Sequence, residues 1–244
     1  MEIDRAMDRW FRETAEEINS TPKEDKPIYN LCASVLPLAH NYCDAVLLLL
    51  NSDKKLPAMA LLRILGELTF RLVWCLFEDN PKKESVDVRI GRWRKETFEQ
   101  EKKRLTKVMS GATPDEKKNI EENVTWLERE ISNIPYTPAG ALYNCLDELP
   151  AGYKKSLYPL LYGQFNTAVH PDLLTLSKLV RQNGNVRGFI GDFNDVDVQN
   201  LKVRCMDCAF NIISYIRIIY DLDYKNLKGE YLKIKSETRS KTEV

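Results

Sequence analysis

Apolar residues recur along most of this chain at intervals of three and four positions, the spacing that aligns them on one face of an α-helix. We predict a helix over each segment with this pattern: 4–19, 28–50, 57–79, 139–147, 152–170, 171–182 and 196–222. Only 183–191 is rich in glycine, and there the pattern allows no more than one small, irregular pair of strands. The pattern therefore predicts an all-α protein folded as a helical bundle.

Two segments, 84–110 and 115–134, differ from the rest of the chain because charged residues are dense in both. The sequence Gly-Ala-Thr-Pro joins them and signals that one helix stops and another starts. The apolar residues of the second segment have the four–three spacing of a coiled-coil seam: Ile120, Val124, Leu127, Ile131 and Ile134. We predict a protruding antiparallel helical hairpin at about 84–134, inserted into a single helical domain of residues 1–244.

The two arms of this hairpin carry opposite charge. Residues 82–107 hold ten basic and five acidic side chains, whereas 115–130 hold three basic and six acidic ones. Opposite charge on successive arms suits solvated faces that attract each other in an antiparallel pair. A basic arm that docks RNA is the alternative, and it stays open at this stage.

The whole chain has 36 basic and 36 acidic residues, so its formal net charge is zero. Proteins that bind nucleic acid along a large surface usually have a basic excess, so any RNA contact here must be local. The N-terminus lacks the apolar core of a secretion signal. The most apolar run, 45–50, is much shorter than the roughly 20 residues that span a bilayer. We expect a cytoplasmic protein with no membrane association.

Cysteines and histidines give little support for a metal or redox site. In a cytoplasmic protein the six cysteines are expected to be reduced thiols. Cys205 and Cys208 form a CxxC inside a helical pattern with no second pair, which favours packing over metal or redox chemistry. The chain has only two histidines, so we expect no metal site and no cofactor.

Two rows of polar residues, each on one face of a predicted helix, contain the candidate functional residues; we call them the polar stripes. Arg63, Glu67 and Arg71 fall four positions apart on a helix that is otherwise apolar, so Glu67 can reach both guanidinium groups. The stripe is a solvent-facing ladder of ion pairs, a buried structural network or a functional pocket, and the sequence does not choose among these.

The second stripe consists of Tyr162, Asn166 and His170, again four positions apart. Pro171 disfavours helical geometry at His170, which places the imidazole at the C-terminal end of a helix. The helix dipole stabilises a protonated histidine there, and its pKa near 6.5 suits proton transfer at neutral pH. A capping or packing role for His170 is the alternative, and His40 is more readily structural.

The motifs Ala-Leu-Leu-Arg-x-x-x-Glu at 60–67 and x-x-x-x-His-Pro ending at Pro171 resemble a bacterial helical family of unknown function. More distantly, the segment 165–170 resembles the signature of the HEPN superfamily of helical ribonucleases. Asn166 and His170 match that signature, but Phe165 stands where the family has an arginine.

The resemblance implies metal-independent RNA cleavage and dimers whose motif helices face each other. His170 would move the proton of the 2′-hydroxyl, and Arg63 or Arg71 would replace the missing arginine. Tyr162, Asn166 and Glu67 would position the substrate.

The sequence thus predicts a ribonuclease or RNA-binding component of a bacterial toxin or phage-defence system. Its partners would be RNA and either a second copy of the chain or another protein. A non-catalytic protein that binds a partner through the 84–134 hairpin is the first alternative. A sensor that holds a nucleotide or phosphate without cleaving it is the second.

Overall fold

The computed structural model describes residues 2–21, 23–77, 82–149, 180–183, 186–189 and 197–240. In this part of the chain the helices are α1 Glu2–Ser20, α2 Pro27–Asn51, α3 Lys55–Leu76, α4 Val86–Met109, α5 Pro114–Asn133, α6 Leu142–Asp147, α7 Val198–Ile219 and α8 Lys225–Ser240. The protein is an all-α helical bundle, as the hydrophobic spacing predicts.

One short antiparallel pair of strands accompanies the helices in the described residues: β1 Val180–Asn183 and β2 Val186–Phe189. Val180 lies opposite Phe189, and Asn183 lies opposite Val186. The predicted helix over 171–182 is therefore wrong at its end, where residues 180–182 belong to a strand. The small strand pair expected near the glycine-rich loop starts earlier than that loop.

The chain divides into two compact units, one formed by Met1–Val73 with Gly152–Val244 and the other by Trp74–Ala151. The single domain of 1–244 with a hairpin insertion at about 84–134 stays a prediction. Helix α3 runs through the boundary, so its last turn belongs to the second unit.

In the first unit, α7 packs against α1, α2 and α8. Apolar side chains from these helices are almost completely buried, among them Trp10, Phe11, Met206, Ile212 and Ile213. Arg217 of α7 links this core to α1 by donating to Thr14 Oγ1 at 3.0 Å and to both carboxylate oxygens of Glu17 at 2.8 and 2.9 Å.

Helix α2 is long and apolar enough to cross a membrane by the measures of length and composition. The apolar run 45–50, on which the prediction of no membrane association rests, is only part of this helix, which extends over the 25 residues Pro27–Asn51. Core helices of soluble proteins satisfy the same two measures, and α2 packs against α1 and α7 as a core helix does. A cytoplasmic location stays a proposal.

Five of the six cysteines are buried, and Cys208 is half-buried. Burial raises the pKa of Cys32 and of Cys208 to about 12, so both thiols stay protonated at neutral pH. The Cys205–Cys208 pair thus lies in surroundings that suit packing.

In the second unit, α4 and α5 pack together as an antiparallel pair. Arg94 contacts Glu130 at 2.8 Å and Lys102 contacts Glu128 at 2.7 Å, so the predicted charge complementarity takes the form of ion pairs between the arms. A capping box of Thr113 and Glu116 starts α5 after the turn.

Leu127 is the buried member of the predicted seam, with 3% of its surface exposed. The other four seam residues, Ile120, Val124, Ile131 and Ile134, are half-buried.

Leu127→Asp is expected to lower the free energy of unfolding by at least about 2–5 kcal/mol, the cost of truncating a buried leucine. Urea denaturation measures this, with Asn123→Asp at an exposed position of α5 as the matched control. Equal stability of the two variants would show that the seam contributes nothing.

Candidate functional site

The first polar stripe lies on α3, as predicted, and Glu67 is hydrogen-bonded to Arg63. Nε of Arg63 donates to Oε1 of Glu67 at 3.0 Å. The Arg63 side chain is 13% exposed and that of Glu67 is 37% exposed. Arg71, one turn further along, is half-buried. All three residues of the stripe are half-buried, so it is not a fully solvent-exposed face of α3.

Loss of the Glu67 carboxylate removes a hydrogen bond between charged groups at a partly buried position. Glu67→Ala is expected to lower the free energy of unfolding by about 1.5–3 kcal/mol, the usual worth of such a bond. Glu13→Ala is the matched control, since Glu13 makes an exposed i,i+4 pair with Arg9 and should cost about 0–1 kcal/mol. Chemical denaturation of both variants tests this, and equal losses would place the α3 stripe in solvent.

The second stripe, Tyr162, Asn166 and His170, lies outside the described residues, as does Phe165. That it faces a common cavity with Arg63 or Arg71 stays a prediction.

His40 has a structural environment in the first unit. Its ring stacks on Phe11 with centroids 4.8 Å apart, and its Nε2 lies 3.3 Å from Asp8 Oδ1 and 3.6 Å from Asp44 Oδ2. It borders a groove of about 270 Å³ between α1 and α2, whose walls are mostly apolar. These contacts favour the packing role expected for this histidine.

A second group of charged residues, in the Trp74–Ala151 unit, was missed by the sequence reasoning. Arg89 and Arg92 on the first turns of α4 are buried, with 0% and 5% of their surfaces exposed. The charge density of the hairpin segments predicts that their charged faces are solvated, and this prediction is wrong for the first turns of α4. The three–four spacing of Arg89, Arg92 and Glu96, all buried, is the signal that marks one helical face.

Arg92 is the centre of a hydrogen-bonded network. Its Nη1 donates to Glu84 and to Glu148 Oε2, and its Nη2 donates to Glu148 Oε1, both Glu148 distances being 3.2 Å. Glu148 also accepts from Trp74 Nε1 at 2.8 Å and from Lys82 Nζ at 2.6 Å. The guanidinium lies over the Trp74 ring, 5.3 Å from its centroid.

Burial and the hydrogen bonds of this network together shift the pKa values of its charged side chains. Burial acts to raise the pKa of Glu148, but hydrogen bonds from Lys82, Arg92 and Trp74 outweigh it, so the pKa is lowered. Burial likewise opposes the charge of Arg92, yet its bonds to Glu148 and Glu84 leave the pKa raised. Arg89 differs, because burial is the largest effect on it and lowers its pKa.

Arg89 bonds to the end of α3 rather than to a carboxylate. Its Nη1 donates to the backbone carbonyl of Trp74, one of the last four carbonyls of α3, which have no partner within the helix. A cation at a helix C-terminus also interacts favourably with the helix dipole. Arg89 thus caps the C-terminal end of α3.

The segment that follows α5 runs back along this part of α4. Ala139 N donates to Arg92 O at 3.0 Å, and Lys95 Nζ donates to Ile134 O at 2.9 Å. A Cβ atom at Gly91 would lie 2.5 Å from the Tyr136 ring, so only glycine allows this approach.

Across the residues that the structure describes, no group of three or more His, Cys, Asp or Glu side chains could hold a metal ion.

Comparisons of the chain with protein-family models, with curated proteins and with solved structures returned no significant match.

Proposed function

We propose that this protein is a metal-independent ribonuclease of the HEPN type, a component of a bacterial toxin or phage-defence system. One observation supports this proposal best: Arg63 is a largely buried cation on an apolar helix, held in a fixed orientation by its bond to Glu67 at 3.0 Å. A guanidinium held in this way, in surroundings of low polarity, stabilises developing negative charge more strongly than one in water.

The proposed reaction needs a proton acceptor and a cation. His170 takes the proton of an RNA 2′-hydroxyl as that oxygen forms a bond to the adjacent phosphorus. The bond from phosphorus to the 5′-oxygen breaks, and that oxygen takes a proton from solvent water, while His170 returns its own proton to the solvent. Arg63 or Arg71 neutralises the charge that builds up on the phosphate oxygens, and Tyr162 and Asn166 position the phosphate. The products are a 2′,3′-cyclic phosphate and a 5′-hydroxyl.

The test is incubation of purified protein with total RNA and with a structured tRNA pool, in the presence and absence of EDTA. The proposal requires cleavage in EDTA and fragments that end in a cyclic phosphate. Absence of cleavage from both RNAs would reject it. Binding of nucleotide or phosphate without cleavage would instead favour the alternative that the protein is a sensor of such a ligand.

A non-catalytic hairpin that binds a partner protein is the second candidate. Trp126 of α5 favours it, because 49% of its surface is exposed although its ring makes a T-shaped contact with that of Phe98, with centroids 5.5 Å apart. Half-exposed tryptophans are frequent anchors at protein interfaces. The RNA assay separates the two candidates, since this one predicts no cleavage. The dimer that the HEPN resemblance implies is part of the ribonuclease proposal and not of this second candidate.

A further inference from the structure

Three buried N–H donors in the α4 network lack an acceptor among the described residues: Nε and Nη2 of Arg89 and Nε of Arg92. Buried polar groups in native proteins almost always have a hydrogen-bond partner, so each exception needs a physical explanation. Here all three are donors, and two belong to a side chain that is completely buried.

The carboxylates nearby do not hydrogen-bond to Arg89. Glu148 is bonded by Arg92, Lys82 and Trp74, and Glu84 is bonded by Arg92. The one acceptor that Arg89 has in the described structure is the carbonyl of Trp74. Glu84 and Glu148 lie close enough to act on the charge of Arg89, but no anion among the described residues hydrogen-bonds to it. This is unfavourable, because buried charges are normally paired directly.

The two unpartnered atoms of Arg89 lie on the same edge of the guanidinium plane. Nε–H and one N–H of Nη2 point in nearly parallel directions, and this edge is the one that binds two oxygens of a single carboxylate or phosphate. Nη1, on the opposite side, is already engaged with α3. The free edge therefore has the geometry of a bidentate anion site.

Charge and size favour one class of anion. A single guanidinium is balanced by one negative charge, so a monocarboxylate matches it better than a phosphate dianion does. Full burial of Arg89 limits the ligand to a small ion. A water molecule could accept from one donor but brings no charge. We infer that the Nε–Nη2 edge of Arg89 binds a small monocarboxylate that completes the buried network of the second unit.

This site is independent of the proposed ribonuclease function, since it uses none of the residues of the α3 stripe. A ligand that binds the folded protein raises its melting temperature in a saturable way. The experiment records thermal unfolding of the full chain in titrations with sodium acetate and sodium formate. Sodium chloride at the same ionic strength and sodium phosphate are the comparison arms.

We expect a saturable rise in Tm with acetate or formate and none with chloride. Arg89→Met, which keeps the length of the side chain and removes its donors, should abolish this rise. Arg94→Met is the matched control and should keep it, because Arg94 is an exposed arginine of the same helix. Arg89→Lys lacks the bidentate edge and should bind about tenfold more weakly, the effect of losing one hydrogen bond to a charged group.

Isothermal titration calorimetry of the wild type and Arg89→Lys with acetate gives the same comparison if Arg89→Met does not fold. No saturable response in the wild type, or an equal response in wild type and Arg89→Met, would overturn the inference and leave water as the partner of these donors. Saturation with phosphate but not with acetate would overturn the assignment of a carboxylate.

Discussion

Glu148→Ala is expected to lower the free energy of unfolding by about 3–5 kcal/mol, the usual loss when one partner of a buried ion pair is removed. The carboxylate accepts hydrogen bonds from three side chains, Trp74, Lys82 and Arg92. Its removal leaves the guanidinium of Arg92, which is 5% exposed, with Glu84 as its carboxylate partner in the described structure. Guanidinium chloride denaturation, monitored by circular dichroism, measures the change.

Glu128→Ala is the matched control for Glu148→Ala, because Glu128 pairs with Lys102 at the surface of the same unit. An exposed pair of this kind is worth about 0–1 kcal/mol. Glu148→Gln keeps the shape of the side chain and should lie between the two. If Glu148→Ala destabilises no more than Glu128→Ala, the network contributes little to stability.

Acid should weaken the same network. The pKa of Glu148 is lower in the folded protein than in the unfolded chain, because three donors bond to its charged form. The unfolded state therefore takes up the proton first as the pH falls. The contribution of Glu148 is present in full above the ordinary glutamate pKa and is lost as the pH falls through the lowered value. In Glu148→Gln this part of the pH dependence should disappear.

Local signals explain which parts of the fold could be predicted. Pro114 as the first residue of α5 and the capping box of Thr113 and Glu116 are readable from sequence, and the predicted start of that helix is one residue from the observed one. The charge complementarity of the two arms depends only on composition, and ion pairs such as Arg94–Glu130 realise it.

The buried network could not be predicted because its partners come from distant parts of the chain. The carbonyl that Arg89 bonds to is 15 positions away, and Glu148 is 56 positions from Arg92. Charge density along a segment indicates solvent exposure on average, but tertiary contacts decide whether a particular arginine is buried. The strand that begins at Val180 could not be predicted either. Valine is β-branched and suits a strand, but the spacing of the apolar residues before it predicts a helix.

His170→Ala is expected to lower the rate of RNA cleavage by about 10²- to 10⁴-fold, the typical contribution of general acid–base catalysis. The reason is that His170 is the group of the proposed site whose ordinary pKa, near 6.5, best suits transfer of the 2′-hydroxyl proton at neutral pH. His40→Ala is the matched control, because the only other histidine of the chain is stacked on Phe11 beside two aspartates. The measurement is the single-turnover cleavage rate of a labelled tRNA in EDTA. Circular dichroism spectra with the wild-type helical signal at the assay temperature show that both variants are folded.

Arg63→Ala should reduce the same rate by about 10²- to 10³-fold if Arg63 is the cation that stabilises the transition state. Arg63→Lys keeps the charge but loses the fixed Nε donor that Glu67 holds, so it should recover only part of the rate. A large loss in Arg71→Ala with little change in Arg63→Ala would move the role to the next turn of α3. Equal cleavage by the wild type, His170→Ala and both arginine variants would show that the activity comes from a contaminant or another site. The ribonuclease proposal would then be abandoned in favour of the partner-binding hairpin, because the exposed Trp126 that supports this alternative has no role in RNA cleavage.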